Sequence, residues 1–119
     1  MRVYIAATPS QLSELITSKI CSFVEYLTPA QFEFPSDMSE EEREDFIAQL
    51  ASEDSAELNQ DKNRFVIAAD LTADQAEAEI INLKFEQLAA LLVGEELAWY
   101  GPDEIEHELQ NWKIGRAHV

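Results

Sequence analysis

The chain has 119 residues and carries 24 Asp and Glu against 8 Lys and Arg, a formal net charge of −16 at pH 7. This length suits a single domain, and the charge disfavours direct binding to nucleic acid or an anionic membrane because like charges repel. No apolar run approaches the ~20 residues needed to span a bilayer, and one cysteine, Cys21, cannot form an intrachain disulfide.

The first thirty residues predict two strands with a helix between them. Arg2–Ala7 is short, β-branched and aromatic, which is typical of a strand. Thr8-Pro9-Ser10-Gln11 forms a capping box with proline at the first helical position, so a helix begins there and ends near Cys21. Phe23–Leu27 alternates weakly and predicts the second strand, which Thr28-Pro29 ends because a residue before proline avoids the helical region.

A long acidic helix and a buried strand are predicted next. Ser39-Glu40-Glu41-Glu42 is a second capping box with acids in the first turn, and the helix runs to about Leu58. Its narrow apolar stripe consists of Phe46, Ile47, Leu50 and Ala51. Arg64–Asp70 is apolar on both alternating faces, which predicts a central strand covered on both sides.

The next segment admits two interpretations, one helix or two strands. Ile81, Phe85, Leu88 and Leu92 fall on one helical face, and good helix formers surround them. Thr72-Ala73-Asp74-Gln75 is a third capping box, and Gly94 stands where a C-terminal cap belongs. We therefore predict one long helix over about residues 73–93 rather than strands at 79–84 and 88–93.

A last strand and a last helix complete the predicted order. Glu96–Tyr100 places Leu97 and Trp99 on one face of the strand, and the helix after Gly101-Pro102-Asp103 carries Ile105, Leu109 and Trp112 on one side. The order β-α-β-α-β-α-β-α predicts a single α/β domain over residues 1–113, with about four strands in a mostly parallel sheet and about four helices.

The last six residues, Ile114–Val119, fit no element of this pattern. Their sequence, Ile-Gly-Arg-Ala-His-Val, reads as the translation of a common sequencing-library adapter. We interpret them as a non-native tail and exclude them from reasoning about the fold. The start of the chain lacks the features of a signal peptide, and a lone cysteine suits a reducing compartment, so a cytoplasmic location is expected.

Four segments together resemble a known family. Arg-Val-Tyr-Ile at residues 2–5, Thr28-Pro29, Val-Ile-Ala-Ala-Asp at residues 66–70 and Leu-Ala-Trp-Tyr at residues 97–100 come in a familiar order. The chain resembles a family of short bacterial proteins that is known only as a domain of unknown function. The resemblance implies no activity, cofactor or partner.

The sequence offers little cofactor or metal chemistry. Three glycines are too few for a glycine-rich phosphate loop, and Cys21 has no second cysteine with which to hold a metal. Glu104 and His107 have the Glu-x-x-His spacing of di-iron bundles, but such sites need a second copy. We predict neither a cofactor nor a metal site, and we expect Cys21 to be a small buried hydrophobe.

The best enzymatic candidate follows from the parallel sheet. Ligands of such sheets bind beyond the carboxyl ends of the strands, where this chain carries Asp70, Thr8, Thr72 and Asp103. Asp70 directly follows the most buried predicted strand and would act as a general base or orient a hydroxyl ligand. Helix capping and turn formation explain the same residues and are the favoured interpretation.

The second candidate is a surface for partners. Residues 37–61 contain ten acids and one base, Arg43. We take as a possible interaction face Glu40, Glu41, Glu44, Asp45, Glu53 and Asp54, with Tyr100 and Trp112 as possible aromatic anchors. A solvated helix face that keeps the protein soluble also explains the acids and is the favoured interpretation.

Three functional hypotheses result. The first is a small cytoplasmic protein that is not an enzyme and acts through contacts with a protein partner or as a homodimer. The second is an enzyme or small-ligand binder that uses the strand-end residues around Asp70. The third is an acidic mimic of nucleic acid, since the acid density of the helix is within a factor of about two of that of duplex DNA.

Overall fold

The computed structural model describes residues 1–59 and 63–112, which form six strands and four helices. In chain order these are β1 (Arg2–Ala7), α1 (Pro9–Ser18), β2 (Ile20–Phe23), α2 (Glu40–Leu58), β3 (Phe65–Asp70), α3 (Ala73–Glu77), β4 (Ile81–Lys84), β5 (Leu88–Val93), β6 (Ala98–Tyr100) and α4 (Pro102–Trp112). Short 3₁₀ turns span Pro29–Gln31 and Phe85–Gln87. The predicted tail, Ile114–Val119, lies outside the described residues.

The main sheet is antiparallel, so the prediction of a mostly parallel sheet is wrong. Its strand order is β1-β3-β5-β6, and each neighbouring pair is antiparallel. β2 pairs with β4, in a separate two-stranded antiparallel sheet. Parallel crossovers were inferred from the alternation of helices and strands, but β2 leaves the main sheet, and β3 returns beside β1 in the opposite direction.

Capping chemistry places the helix starts where the sequence predicts them. Thr8 Oγ1 accepts a hydrogen bond from Gln11 N at 3.2 Å, and Gln11 Oε1 accepts one from Thr8 N at 2.9 Å. Ser39 and Glu42 make the same reciprocal pair before α2. These bonds satisfy backbone N–H groups that have no partner inside the helix, which is why both starts are confirmed.

The single helix predicted over residues 73–93 is wrong. α3 ends at Glu77, and the backbone of Ala78 is extended. Two strands follow, close to the alternative that was rejected, with a 3₁₀ turn between them. The apolar residues fit this arrangement because Ile81 and Leu83 alternate on one face of β4, whereas β5 is covered on both faces. Gly94 has φ +79° and begins the β5–β6 turn, so it does not cap a helix.

The main sheet lies between two cores. On one face Val3, Ile5, Ile67 and Leu91 pack with α1, the β2–β4 pair and Ile105 of α4. On the other face α2 covers β1 and β3 through small side chains at its centre. Cys21 is buried in the first core, as the sequence predicts.

The face that α2 buries overlaps the predicted stripe in part. Ile47 and Ala51 of the stripe are buried, together with Ala48, Ser52 and Ser55, whereas Phe46 is 44% exposed. Short side chains let the helix approach the sheet closely, and Ser55 then bonds directly to it. Its Oγ donates to Ala7 O at 2.9 Å and accepts from Phe65 N at 2.9 Å.

The second strand also differs from its prediction. β2 begins at Ile20 and ends at Phe23, where the strand Phe23–Leu27 was expected to begin. Residues 24–27 instead run past the outer edge of β1. Tyr4 and Leu27 exchange backbone hydrogen bonds of 2.8 and 2.9 Å there, as an isolated antiparallel bridge.

Candidate functional site

The structure does not bring the strand-end residues together. In the antiparallel register Arg2 lies opposite Asp70, whereas Ala7, next to Thr8, lies opposite Phe65. Six residues of strand at about 3.3 Å each separate the two ends, so Thr8 lies about 20 Å from Asp70. The common edge expected from a parallel sheet does not form.

Asp70 is bound to the neighbouring strand. Its Oδ1 accepts a hydrogen bond from Arg2 Nε at 2.8 Å, in an ion pair whose side chains are 58% and 38% exposed. The Arg2 hydrogen bond holds the pKa of Asp70 below its ordinary value, and the same bond raises the pKa of Arg2. An ionised carboxylate that is already paired is a poor general base.

The other two strand-end residues lie at helix starts. Thr72 Oγ1 accepts from Gln75 N at 3.2 Å and caps α3. Asp103 is exposed in the first turn of α4, where a negative charge favours the positive end of the helix dipole. Asp70, Thr8, Thr72 and Asp103 all lie outside the grooves described next.

The acids of α2 do not form one face. Glu40, Glu41, Glu44 and Asp45 surround its first turns, beside the end of the sheet that carries Arg2. Asp54 points to the opposite side, toward the outer edge of β1, and Glu53 lies in neither groove. Within residues 1–59 and 63–112 none of these six carboxylates forms an ion pair. Glu44 accepts a hydrogen bond from Tyr4 Oη and interacts electrostatically with Arg2, and the charge of the other five is open to a cationic ligand.

The first acids of α2 and the β5–β6 hairpin border a groove, which we call the α2–β6 groove. Two adjoining depressions of about 610 and 400 Å³ make it up. They share Tyr4, Glu44, Asp45 and Trp99, and they are completed by Arg2, Glu40, Glu41, Ala48, Gln49, Leu92, Glu96 and Leu97. One wall is acidic and the other is an aromatic ring.

Trp99 supplies that ring and was missed as an anchor. It pairs with Leu92, which faces α2, and it is 61% exposed because α2 covers β1 and β3 but stops short of β6. Tyr100 faces the other way, is half-buried and packs against the first core. The side chain of Trp112 lies outside the described part of the chain. Alternation along β6 is the signal that separates Trp99 from Tyr100.

A partly buried hydrogen bond holds the floor of the groove. Tyr4 Oη donates to Glu44 Oε1 at 2.7 Å. Burial, and then the bond to Glu44, raise the pKa of Tyr4 far above its ordinary value of 10.0, so the phenol stays protonated and donates. Glu44 is thereby fixed beside Glu40, Glu41 and Asp45. Chemically, the groove can hold a cation between carboxylates and an indole face.

Residues 1–59 and 63–112 contain no group of three or more His, Cys, Asp or Glu placed to hold a metal ion. No helix among them is long and apolar enough to cross a membrane. His107 is exposed on α4.

Comparison with known proteins gives one match. Residues 1–94 match the model of a family of unknown function, DUF6912. No curated protein and no solved structure matches the chain. The matched residues include β1 to β5 and α1 to α3, whereas the segment Leu97–Tyr100 lies beyond them.

Proposed function

Because the chain belongs to DUF6912, a family of unknown function, we propose its function from the site alone: it binds a protein partner that presents clustered Lys and Arg side chains to the α2–β6 groove. This role needs no catalysis. The predicted strand-end residues support it, because Asp70 is held in an ion pair with Arg2, and Thr8 and Thr72 cap helices.

The observation that carries the proposal is the exposed indole of Trp99 beside unpaired carboxylates. The side chain of Trp99 is 61% exposed, so the free protein keeps a large apolar surface in contact with water, which is unfavourable. Tryptophan is also a typical hot-spot residue of interfaces. Arg and Lys bind over aromatic faces and pair with carboxylates. Four acids of α2 and Glu96 line the same groove. A basic segment in it would therefore contact the carboxylates and the indole of Trp99 at once.

The net charge of the molecule supports the same kind of partner. A charge of −16 attracts cationic proteins and speeds their association at low salt. Long-range attraction alone gives no specificity, because any basic surface would respond to it. The groove adds specificity by placing an aromatic contact at one position.

The test is a titration of a fluorescent Lys- and Arg-rich peptide by anisotropy at 150 mM salt. Trp99→Ala should weaken binding at least tenfold, and so should the pair Glu41→Gln with Asp45→Asn. The matched control is Glu53→Gln with Glu77→Gln, which removes the same charge outside the groove and should weaken binding less than threefold.

Two results would contradict the proposal. One is the absence of binding to the wild-type protein at 150 mM salt. The other is an equal loss of affinity in the groove variant and the charge-matched control, which would show that net charge alone drives association. Circular dichroism of each variant checks that the fold is kept.

A further inference from the structure

A second cleft lies on the other side of α2, at the outer edge of β1, and we call it the β1-edge cleft. Its volume is about 380 Å³. It is lined by Tyr4, Ala6, Gln11, Phe23, Val24, Glu25, Tyr26, Leu27, Asp54, Glu57 and Leu58. Apart from Tyr4, none of these residues lines the α2–β6 groove.

The cleft opens where a strand edge loses its partner. Tyr4 bonds through both its N–H and its C=O to Leu27, so alternate residues of β1 direct these groups to the outer edge. The next outward residue is Ala6, and the antiparallel register would place it opposite Glu25. The bridge at Tyr4 is isolated, so the chain has already left β1 at this point. The backbone of Ala6 therefore faces the cleft.

Two exposed apolar side chains border the same opening. Val24 is 72% exposed and Leu58 is 56% exposed. They come from segments far apart in sequence and meet at the cleft. A partner that covers both side chains would remove their apolar surface from water, which favours binding.

The polar lining of the cleft is acidic. Glu25, Asp54 and Glu57 are exposed, and the described lining contains no Lys or Arg. An acidic rim around an apolar centre matches a ligand with an apolar side chain between two cations. A free strand edge adds backbone recognition, which is the mode in which extended peptides join a sheet.

We propose that the β1-edge cleft binds an extended peptide in which an apolar residue is flanked by lysines or arginines. The peptide backbone pairs with the N–H and C=O of Ala6. The apolar side chain lies against Val24 and Leu58, and the flanking cations face Glu25, Asp54 and Glu57. This site is independent of the α2–β6 groove and of the function proposed there.

The probe is a labelled five-residue peptide, Leu-Lys-Leu-Lys-Leu, titrated by anisotropy at 150 mM salt. Val24→Gln with Leu58→Gln should weaken binding at least tenfold. The matched control is Ile80→Gln, which changes an isoleucine that is 57% exposed elsewhere and should leave affinity within twofold.

Backbone pairing is tested on the peptide and on the protein. A peptide that is N-methylated at its central leucine keeps its charge and side chains but loses the N–H, and it should bind at least tenfold more weakly. Ala6→Pro removes the N–H of Ala6, which an edge strand tolerates where that group faces outward, and it should weaken binding similarly. If Ala6→Pro fails to fold, the methylated peptide alone decides this point.

The two proposals fail separately. Trp99→Ala should leave the binding of the five-residue peptide unchanged, because Trp99 lies outside the β1-edge cleft. Affinity that is equal for the plain and methylated peptides, or unaffected by the Val24 and Leu58 changes, would overturn the cleft proposal. Loss of affinity on Trp99→Ala would overturn it as well and would assign the peptide to the α2–β6 groove.

Discussion

Tyr4 shows how one residue connects both grooves to the core. Its ring is buried between β1 and α2, its hydroxyl bonds to Glu44, and its backbone pairs with Leu27. Tyr4 also lines the α2–β6 groove and the β1-edge cleft. Tyr4 therefore positions Glu44 on one side of α2 through its side chain, and it forms the edge of the β1-edge cleft on the other side through its backbone.

We expect Tyr4→Phe to lower the free energy of unfolding by about 1.5 kcal/mol, because the bond it removes has a charged acceptor. Tyr26→Phe is the matched control, since Tyr26 Oη donates to the neutral carbonyl of Ala76 at 3.1 Å. That change should cost about 0.5–1 kcal/mol. Urea unfolding at pH 7 compares the two variants. A loss for Tyr4→Phe no greater than that for Tyr26→Phe would contradict the role given to Glu44.

The Arg2–Asp70 pair predicts a specific dependence on pH. The pKa of Asp70 is lowered in the folded protein, so its ionised form stabilises the fold above the ordinary value of 3.8, and this contribution is lost as pH falls through the folded pKa. Because the pair is exposed, Asp70→Asn should cost at most about 1 kcal/mol at pH 7. The difference from the wild type should shrink as the pH falls below 3.8 and vanish once Asp70 is protonated in the folded protein, as measured by urea unfolding across pH. A difference that persists at low pH would show that charge is not its cause.

Among the elements, α2 was predicted well in where it begins and ends, and less well in which of its faces is buried. Its capping box and polar composition fix where it begins and how far it runs. The predicted stripe contained Phe46, which is exposed, and left out Ser52 and Ser55, which are buried beside Ile47, Ala48 and Ala51. Hydropathy does not mark serine as buried, so the sequence alone did not orient the helix and its acids correctly.

Ser55 carries the direct contact of α2 with the sheet. Ser55→Ala removes bonds to Ala7 O and Phe65 N in a buried environment, and it should lower the free energy of unfolding by about 1–3 kcal/mol. Ser22→Ala is the control, since Ser22 is exposed and bonds only to the Asn82 side chain. Its cost should stay below about 0.5 kcal/mol. Equal costs in thermal unfolding would rule out the proposed coupling.

The segment after Thr72 shows why two element types compete for one pattern. Apolar residues at the spacing of Ile81, Phe85, Leu88 and Leu92 fit a helix. The same residues fit two strands once a 3₁₀ turn shifts the phase between them. Pairing with β2 and β3 decides between the two, because it provides backbone partners and buries the apolar faces of both strands.

At the scale of the whole molecule, the core extends past the residues that match the family. The match ends at Gly94, yet Ile105 of α4 is only 1% exposed in the first core. α4 therefore covers the sheet, whereas β6 extends it as an edge strand and supplies Trp99 to the α2–β6 groove.

We expect Ile105→Ala to lower the free energy of unfolding by about 2–4 kcal/mol, because it opens a cavity in a packed core. Ile80→Ala removes the same atoms from a side chain that is 57% exposed and should cost less than about 0.5 kcal/mol. Urea unfolding of the pair measures the difference. Similar costs would mean that α4 is not part of the core.

The positions of the acidic side chains on the surface are also decided by the tertiary structure. The sequence placed ten acids within residues 37–61 and suggested one interaction face. Packing places Glu40, Glu41, Glu44 and Asp45 at the α2–β6 groove and Asp54 and Glu57 at the β1-edge cleft, while Glu42 and Glu53 line neither. A partner that contacts one groove therefore meets only part of the charge, so the linear acid density overstates what one ligand meets.

Local sequence was sufficient for the first strand, the starts of the helices, the central strand β3 and the burial of Cys21, because capping bonds and apolar runs act between near neighbours. Strand direction, the strands after Ala78, the exposure of Trp99 and the β1-edge cleft depended on the tertiary structure. Each results from contacts between residues distant in the chain, such as Tyr4 with Leu27 or Trp99 with Leu92. A short window of sequence does not specify which strand will pair with which, or which face a helix will cover.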